Sequence, residues 1–297
     1  MTDDRKSQRI GMICAFSCMV YWGFMPIYWK TLIPINSYVI ILYRIFLVGV
    51  TCFAGALIAY GWTGIKEALG DKKKVLKLFL AGLVITINWS VYIYAVNSGQ
   101  VIETCIGYYI EPLVICLFGI VLFKERPNKY KMISIIFASI GVLIILIHFS
   151  RLPFIALMLA ISFSTYAAIK KHIKMPALLS LLCETIFIAP VAFIIVIYLE
   201  ANGNGAIAAG QPYQLALLAL AGILTAIPLA LFAAAANRIS MISIGIAEYV
   251  SPSITLLIGI FLFKEPFDQI QLIAFAVIWI GLVFFTYGEI RGSRNED

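Results

Sequence analysis

Residues 97–125 read NSGQVIETCIGYYIEPLVICLFGIVLFKE, and residues 237–265 read NRISMISIGIAEYVSPSITLLIGIFLFKE. Aligned without a gap at an offset of 140, twelve of the 29 positions are identical: Asn97, Ile102, Ile106, Tyr109, Pro112, Leu117, Gly119, Ile120, Leu122, Phe123, Lys124 and Glu125 match their partners. Self-similarity at a fixed offset is the mark of a duplicated unit. The match extends weakly to Ala81-Gly82 with Ala221-Gly222, to Gly141 with Gly281, and to Lys30 with Lys170. Each copy of the motif is a continuous apolar run of helix length that ends in Lys-Glu, so the duplicated element is an apolar helix and not a strand.

The rest of the chain has the same character. Of its 297 residues 62% are hydrophobic and 12% charged, and the mean hydropathy is +0.99. A soluble domain carries about 25% charged residues, so this chain cannot cover a water-facing surface, and its apolar content excludes disorder. A membrane span needs about 20 mainly apolar residues. Runs of that length, rather than alternating segments of about ten, exclude a β-barrel. Ten spans are predicted, at 10–29, 37–60, 75–96, 102–123, 130–148, 153–169, 177–199, 213–236, 243–263 and 269–288. The first is too long and too aromatic for a signal-peptide core and is read as a retained span.

Five spans per copy is an odd number, so the second copy crosses the membrane in the opposite sense. The expected fold is an all-α polytopic membrane protein with ten transmembrane helices in a 5+5 inverted repeat, residues 1–148 and 149–297. The net charge of +7 reflects topology, not nucleic-acid binding. With a cytoplasmic N-terminus, eighteen of the 22 Lys and Arg fall inside, including Lys72, Lys73, Lys74 and Lys170, and only Lys30, Arg151 and Lys264 fall outside. The positive-inside rule then puts both termini in the cytoplasm and the protein in the inner or plasma membrane.

The chain resembles the drug/metabolite transporter superfamily, EamA type, and is most similar to its chloramphenicol-sensitivity (RarD) branch. The resemblance rests on Tyr21-Trp22-Gly23 with Pro26, Tyr28 and Lys30, on Asn88-Trp89 with Ala95-Val96-Asn97, on Glu103, Gly107-Tyr108 and Pro112-Leu113, on Glu184, and on Tyr249 with Pro252. It implies ten helices around a central cavity, with spans five and ten at the periphery. Members of the family often carry amides at the positions of Glu111 and Glu248, so the charge at those positions is not carried over from the family.

Ionisable groups inside a span cost about 2.5–3.5 kcal/mol on insertion scales and are functional candidates. Four stand out: Arg44, Glu111, Glu184 and Glu248. Arg44 and Glu184 are repeat mates of opposite charge, each about seven residues and so roughly 10 Å into its span. They are expected to pair or to face one shared cavity, the alternative being a structural ion pair between spans two and seven. Tyr108, Glu111 and Ile115 share a helix face at i, i+3, i+7, and their mates Glu248, Ser251 and Thr255 present the equivalent face. Pro112 and Pro252 on these faces free backbone carbonyls, which membrane-buried helices tolerate beside a cavity. This face is expected to line the substrate path, helix–helix contact being the plainer alternative.

A carboxyl group in a dry environment can carry a proton, which makes Glu111, Glu184, Glu248 and the more peripheral Glu103 candidates for a coupling proton. Trp22, Tyr28, Trp89, Tyr94 and Tyr166 offer a cavity wall for an apolar, aromatic or cationic substrate, or serve as interfacial anchors. Asn88 lies within a span and needs a partner, in the site or in a neighbouring helix. His148 is read as interfacial, and Asn97 and Asn237 as helix ends. The six cysteines lie in apolar runs without a C-x-x-C pair, so neither disulfides nor zinc are expected. There is no G-x-x-x-x-G-K-[ST] loop and only two histidines, so no catalytic residues, metal or cofactor are expected.

These features together indicate a secondary active transporter of a small metabolite or drug-like molecule, working by alternating access with protons as candidate coupling ions. Its partners are the substrate and the lipid bilayer, with no nucleic acid. The alternatives are a facilitative channel or uniporter for small solutes and, further off, an intramembrane enzyme.

Overall fold

The computed structural model describes residues 3–97, 101–149, 154–264 and 268–294, all helices and short connections. The helices are α1 (Asp3–Thr31), α2 (Ser37–Gly70), α3 (Lys72–Asn97), α4 (Val101–Val121), α5 (Lys129–Phe149), α6 (Phe154–His172), α7 (Ala177–Thr185), α8 (Ile188–Ala201), the single turn α9 (Ala206–Ala209), α10 (Pro212–Ala219), α11 (Ala221–Ala236), α12 (Met241–Glu248), α13 (Val250–Phe261) and α14 (Gln269–Arg294). Among the described residues eight segments are long and apolar enough to cross a membrane, and α7 with α8 forms a further pair bent by 53°. In α4 the apolar stretch Ile106–Val121 is shorter. Large apolar side chains point outwards, Ile58 being 87% and Val283 68% exposed. In water that surface would aggregate, whereas in hydrocarbon it is solvated. The chain is a multi-pass helical membrane protein.

Local chemistry sets the boundaries. Asn36 caps α2 by accepting the Tyr38 N–H at 2.9 Å, and Asp71 caps α3 by accepting the Lys74 N–H at 3.1 Å. The second span, expected to stop at residue 60, turns at Gly61, where φ is +63°. Glycine takes that left-handed backbone without Cβ strain, and a further short helical stretch runs on to Gly70. The single span expected over 177–199 is instead broken into α7 and α8. Pro190 has no N–H for the Ile186 carbonyl, so the helix restarts at Ile188 with the proline in its first turn, where that loss is tolerated. Pro252 likewise has no N–H for the Glu248 carbonyl, and α12 ends at Glu248.

The repeat offset is visible in the helix starts. Ser37, Lys72, Val101 and Lys129 open α2, α3, α4 and α5, and Ala177, Pro212, Met241 and Gln269 open helices 140 residues later. Caps recur too: Asn128 accepts the Lys131 N–H at 2.9 Å, and its mate Asp268 accepts the Gln271 N–H at 2.8 Å. That Gln271 hydrogen bond, reinforced by His148 Nε2 at 3.0 Å, holds the exposed Asp268 carboxyl below the usual carboxylate range. Lys124 and Lys264, also mates, are the two described non-glycine residues with positive φ, at 53° and 56°.

The main core is formed by side chains of α1, α2, α3, α4, α6, α7, α11 and α12, among them Met19, Cys52, Ala81, Ile115, Tyr166, Leu181, Phe232 and Ile244. Helices α5 and α14 pack mostly on each other and lean on the rest through α4 and α12. Small residues allow the close crossings. A Cβ on Gly82 would lie 2.3 Å from the Glu184 carbonyl oxygen, and one on its mate Gly222 would lie 2.4 Å from the Leu47 carbonyl oxygen. Both neighbours are backbone and cannot swing aside. Gly82→Ala and Gly222→Ala are each expected to destabilise by about 1–3 kcal/mol, read as a lower melting temperature in detergent. Gly70→Ala, with nothing within 4 Å of the added Cβ, is the control, and equal melting of all three variants would refute the packing argument.

Candidate functional site

Three polar groups are buried where the helices meet. The first centres on Arg44 of α2. Its Nε donates to Thr225 Oγ1 of α11 at 3.1 Å. Its guanidinium carbon lies 3.9 Å from the ring centre of Trp89 on α3 and 5.1 Å from that of Trp29 on α1. Tyr28 of α1, Tyr92 of α3 and Tyr108 of α4 are close enough to interact with its charge, and Tyr92 and Tyr108 sit with ring centres 5.9 Å apart. Arg44 lies among five helices yet is only half-buried, so part of its surface is open. Among the described residues no carboxylate forms an ion pair with it.

The second group joins α4 to α12. Glu111 and Glu248 are 6% and 4% exposed, and their carboxyl groups interact with each other. No hydrogen bond reaches Glu111 Oε2 or either carboxylate oxygen of Glu248. Near Glu248 lie Cys18 of α1, Cys116 of α4 and Tyr249. The approach is close because Gly245 has no side chain: a Cβ there would sit 2.7 Å from the Pro112 carbonyl oxygen.

The third group is a closed network. Lys170 Nζ of α6 donates to Glu184 Oε1 of α7 and, at 2.7 Å, to Ser180 Oγ. Tyr166 Oη donates to Glu184 Oε2 at 3.2 Å, and Ser180 Oγ to Glu184 Oε1 at 3.2 Å. Lys170 and Glu184 are 2% and 3% exposed.

The repeat mates Arg44 and Glu184 therefore do not form an ion pair with each other. The mate relation gives equivalent depth within two copies, but Lys170, across the short α6–α7 connection, reaches Glu184 first. Nor is Lys170 a solvated cytoplasmic charge, since its amine is folded into the core. Trp22 is a packing residue, edge-on to Phe163 at 5.8 Å and tilted against Phe232 at 5.9 Å. Asn88 binds helix to helix, its Nδ2 donating to the Leu159 carbonyl at 3.0 Å and to Ser162 Oγ at 2.9 Å. Thr255 donates to the Gly23 carbonyl at 3.3 Å, tying α13 to α1. Ser251 is half-buried on that helix. Tyr166 belongs to the Glu184 network rather than to an aromatic wall. Asn237 ends α11 and donates to the Met175 carbonyl at 3.0 Å. Glu103, Tyr94 and Asn97 have side chains outside the described residues, as does Cys105. The other five cysteines are free thiols.

Sequence reasoning missed Thr225, Trp29 and Tyr92 around Arg44, and Lys170 beside Glu184. It also left the Lys-Glu ending of the repeat without a role. Glu125 Oε1 and Oε2 accept the Met241 and Ile242 N–H groups at 2.8 and 3.0 Å, so this carboxylate caps the start of α12 in the other half of the chain.

Comparison with known proteins agrees with this architecture. The model of the EamA-like transporter family matches residues 9–147. The chain is 37% identical to the "Uncharacterized transporter YojE" of Bacillus subtilis, over 96% of both chains. It is 34% identical to "Protein RarD" of Streptomyces exfoliatus, over 98% of this chain and 92% of that one. The chain belongs to the EamA-like transporter family, in its RarD branch. "Protein RarD" of Escherichia coli K12 is 31% identical over 98% of this chain and 99% of the other. A solved crystal structure at 14% identity superposes with a TM-score of 0.70, covering 92% of this chain and 96% of that one, and so shares the fold. Membership of this family makes the chain a membrane transporter of small solutes.

Proposed function

We propose that this EamA-type protein is a secondary active transporter that carries a small metabolite or drug-like molecule across the inner or plasma membrane by alternating access. Two inverted five-helix repeats, residues 1–148 and 149–297, supply ten spans with both termini cytoplasmic, and a proton held by the Glu111–Glu248 pair is the coupling ion. The observation that carries this reading is that both buried candidate groups bridge the halves. Arg44 of the first half bonds Thr225 of the second, and Glu111 of the first half faces Glu248 of the second. A site shared across a repeat interface changes its contacts when the halves rock against each other, which is how inverted-repeat transporters expose a midplane site alternately to either side. The recurrence of helix starts, caps and positive-φ lysines at 140 residues supports the repeat.

Of the four carboxylates considered for the proton, Glu184 is already matched by Lys170, Ser180 and Tyr166. Glu111 and Glu248 have each other and no neutralising base. Two adjacent carboxylates away from water repel strongly if both are charged, so at least one of the two holds a proton.

Counterflow in proteoliposomes tests alternating access. Unlabelled substrate loaded inside is expected to drive transient accumulation of labelled substrate above equilibrium. Equilibration without overshoot, for a substrate the protein demonstrably moves, would mean a channel.

A further inference from the structure

We infer that Arg44 anchors an acidic group of the transported molecule, so that the substrate class is a small organic anion with an aromatic or similarly flat apolar body. The inference rests on the transporter reading above and names the substrate class for it.

A cation this deep in a helical bundle is expensive to keep and in membrane proteins normally faces a partner or a cavity. Elsewhere the buried Lys170 is matched by Glu184, and the half-buried Glu125 by the first N–H groups of α12; Glu111 and Glu248 face each other without a neutralising base among the described residues. Arg44 has a threonine hydroxyl, two indole faces and no carboxylate among the described residues. A guanidinium carries five N–H donors in one plane, and among the described residues only Nε has a hydrogen-bond acceptor. Stacking on Trp89 occupies a face of the plane and leaves the Nη edge free. That edge matches a carboxylate in the bidentate geometry at which Arg excels. Because Arg44 keeps part of its surface open, a ligand can reach it.

The surroundings define the rest of the molecule. Trp29, Trp89, Tyr28 and Tyr108 surround Arg44 from α1, α3 and α4, an aromatic environment suited to another flat ring. An amine placed there would meet a like charge with no acid among the described residues to offset it, which argues against the cationic substrates that the aromatic residues alone would admit. Contact with Thr225 makes the anchor sensitive to movement between the halves, because the hydroxyl comes from the second half and the arginine from the first.

The test is calorimetric titration of the purified full-length protein in detergent with benzoate, phenylacetate and indole-3-acetate, set against phenethylamine and benzyl alcohol. The anions are expected to bind about tenfold or more tightly than the amine and the alcohol. Arg44→Lys is expected to weaken anion binding by about tenfold or more, because it keeps the charge but loses the bidentate fork and the stacking. Lys66→Ala, on an exposed stretch, should bind as the unaltered protein does. If Arg44→Lys fails to fold, the anion, amine and alcohol series on the unaltered protein still decides. Preference for the amine, equal binding of all three classes, no binding of any anion, or an Arg44→Lys variant that binds benzoate undiminished would each overturn the assignment. Failure of the transport reading looks different: anions would bind at Arg44 without any counterflow, whereas counterflow of a non-anionic solute unaffected by Arg44→Lys would refute the anchor alone.

Discussion

Lys170→Met, with Glu184 left in place, is expected to lower the unfolding free energy by about 3–5 kcal/mol, because it strands a buried carboxylate. Lys170 and Glu184 are 2% and 3% exposed and bonded to each other, so neither charge has water to fall back on once its partner is gone. Ser180 and Tyr166 would still donate to Glu184, but two neutral donors do not replace an ammonium group. The double variant Lys170→Met/Glu184→Leu removes both charges and is expected to recover most of the loss, since well-packed apolar side chains often substitute for a buried pair at little cost. Tyr166→Phe, which deletes one hydrogen bond to the same carboxylate, should cost about 1–3 kcal/mol. Unfolding in detergent followed by intrinsic fluorescence measures all three. A single Lys170→Met variant as stable as the parent would show that the network is not the structural tie between α6 and α7 described above.

The second large effect concerns coupling. Glu111→Gln and Glu248→Gln are each expected to abolish stimulation of transport by an imposed proton gradient, while exchange of substrate for substrate continues. The ratio of initial rates with and without the gradient should therefore fall from well above one to near unity. Glu111→Gln also supplies amide N–H donors beside the Glu248 oxygens, which no hydrogen bond now reaches. The variant should therefore fold at least as well as the parent, separating lost coupling from lost structure. Gradient dependence undiminished in both variants would eliminate the pair as the proton site. If only Glu184→Gln removed it, the coupling proton would belong in the Lys170 network.

How much of this was legible in sequence differs by level. The 140-residue self-match, the apolar runs and the Lys and Arg distribution marked the class of protein, the helix starts and the short list of buried charges. That list rests on the cost of charge within apolar helices, and it leaves out Lys170, which is buried beside Glu184. The partners were another matter. Lys170 was counted with the loop charges because it ends an apolar run, yet its flexible stem carries the amine back into the core. Glu125 looked like a repeat marker, and its role as a cap on α12 is visible only once α4 and α12 lie side by side. Trp22, Asn88 and Thr255 read as site residues, but each is spent on a neighbouring helix.

Sequence by itself determined that this chain is a helical membrane protein with a self-match at an offset of 140 residues, because hydropathy and periodicity are local properties that survive without knowledge of neighbours. It also supplied the motifs that resemble the EamA type. Only the tertiary structure decided which charges neutralise one another. In a low-dielectric bundle a charge is stabilised by the nearest donor or acceptor in space, and that nearness is set by helix crossings rather than by position along the chain. Those crossings pair Glu184 with Lys170, turn Glu111 towards Glu248, and leave Arg44 between two tryptophans with its Nη edge unclaimed by any carboxylate among the described residues.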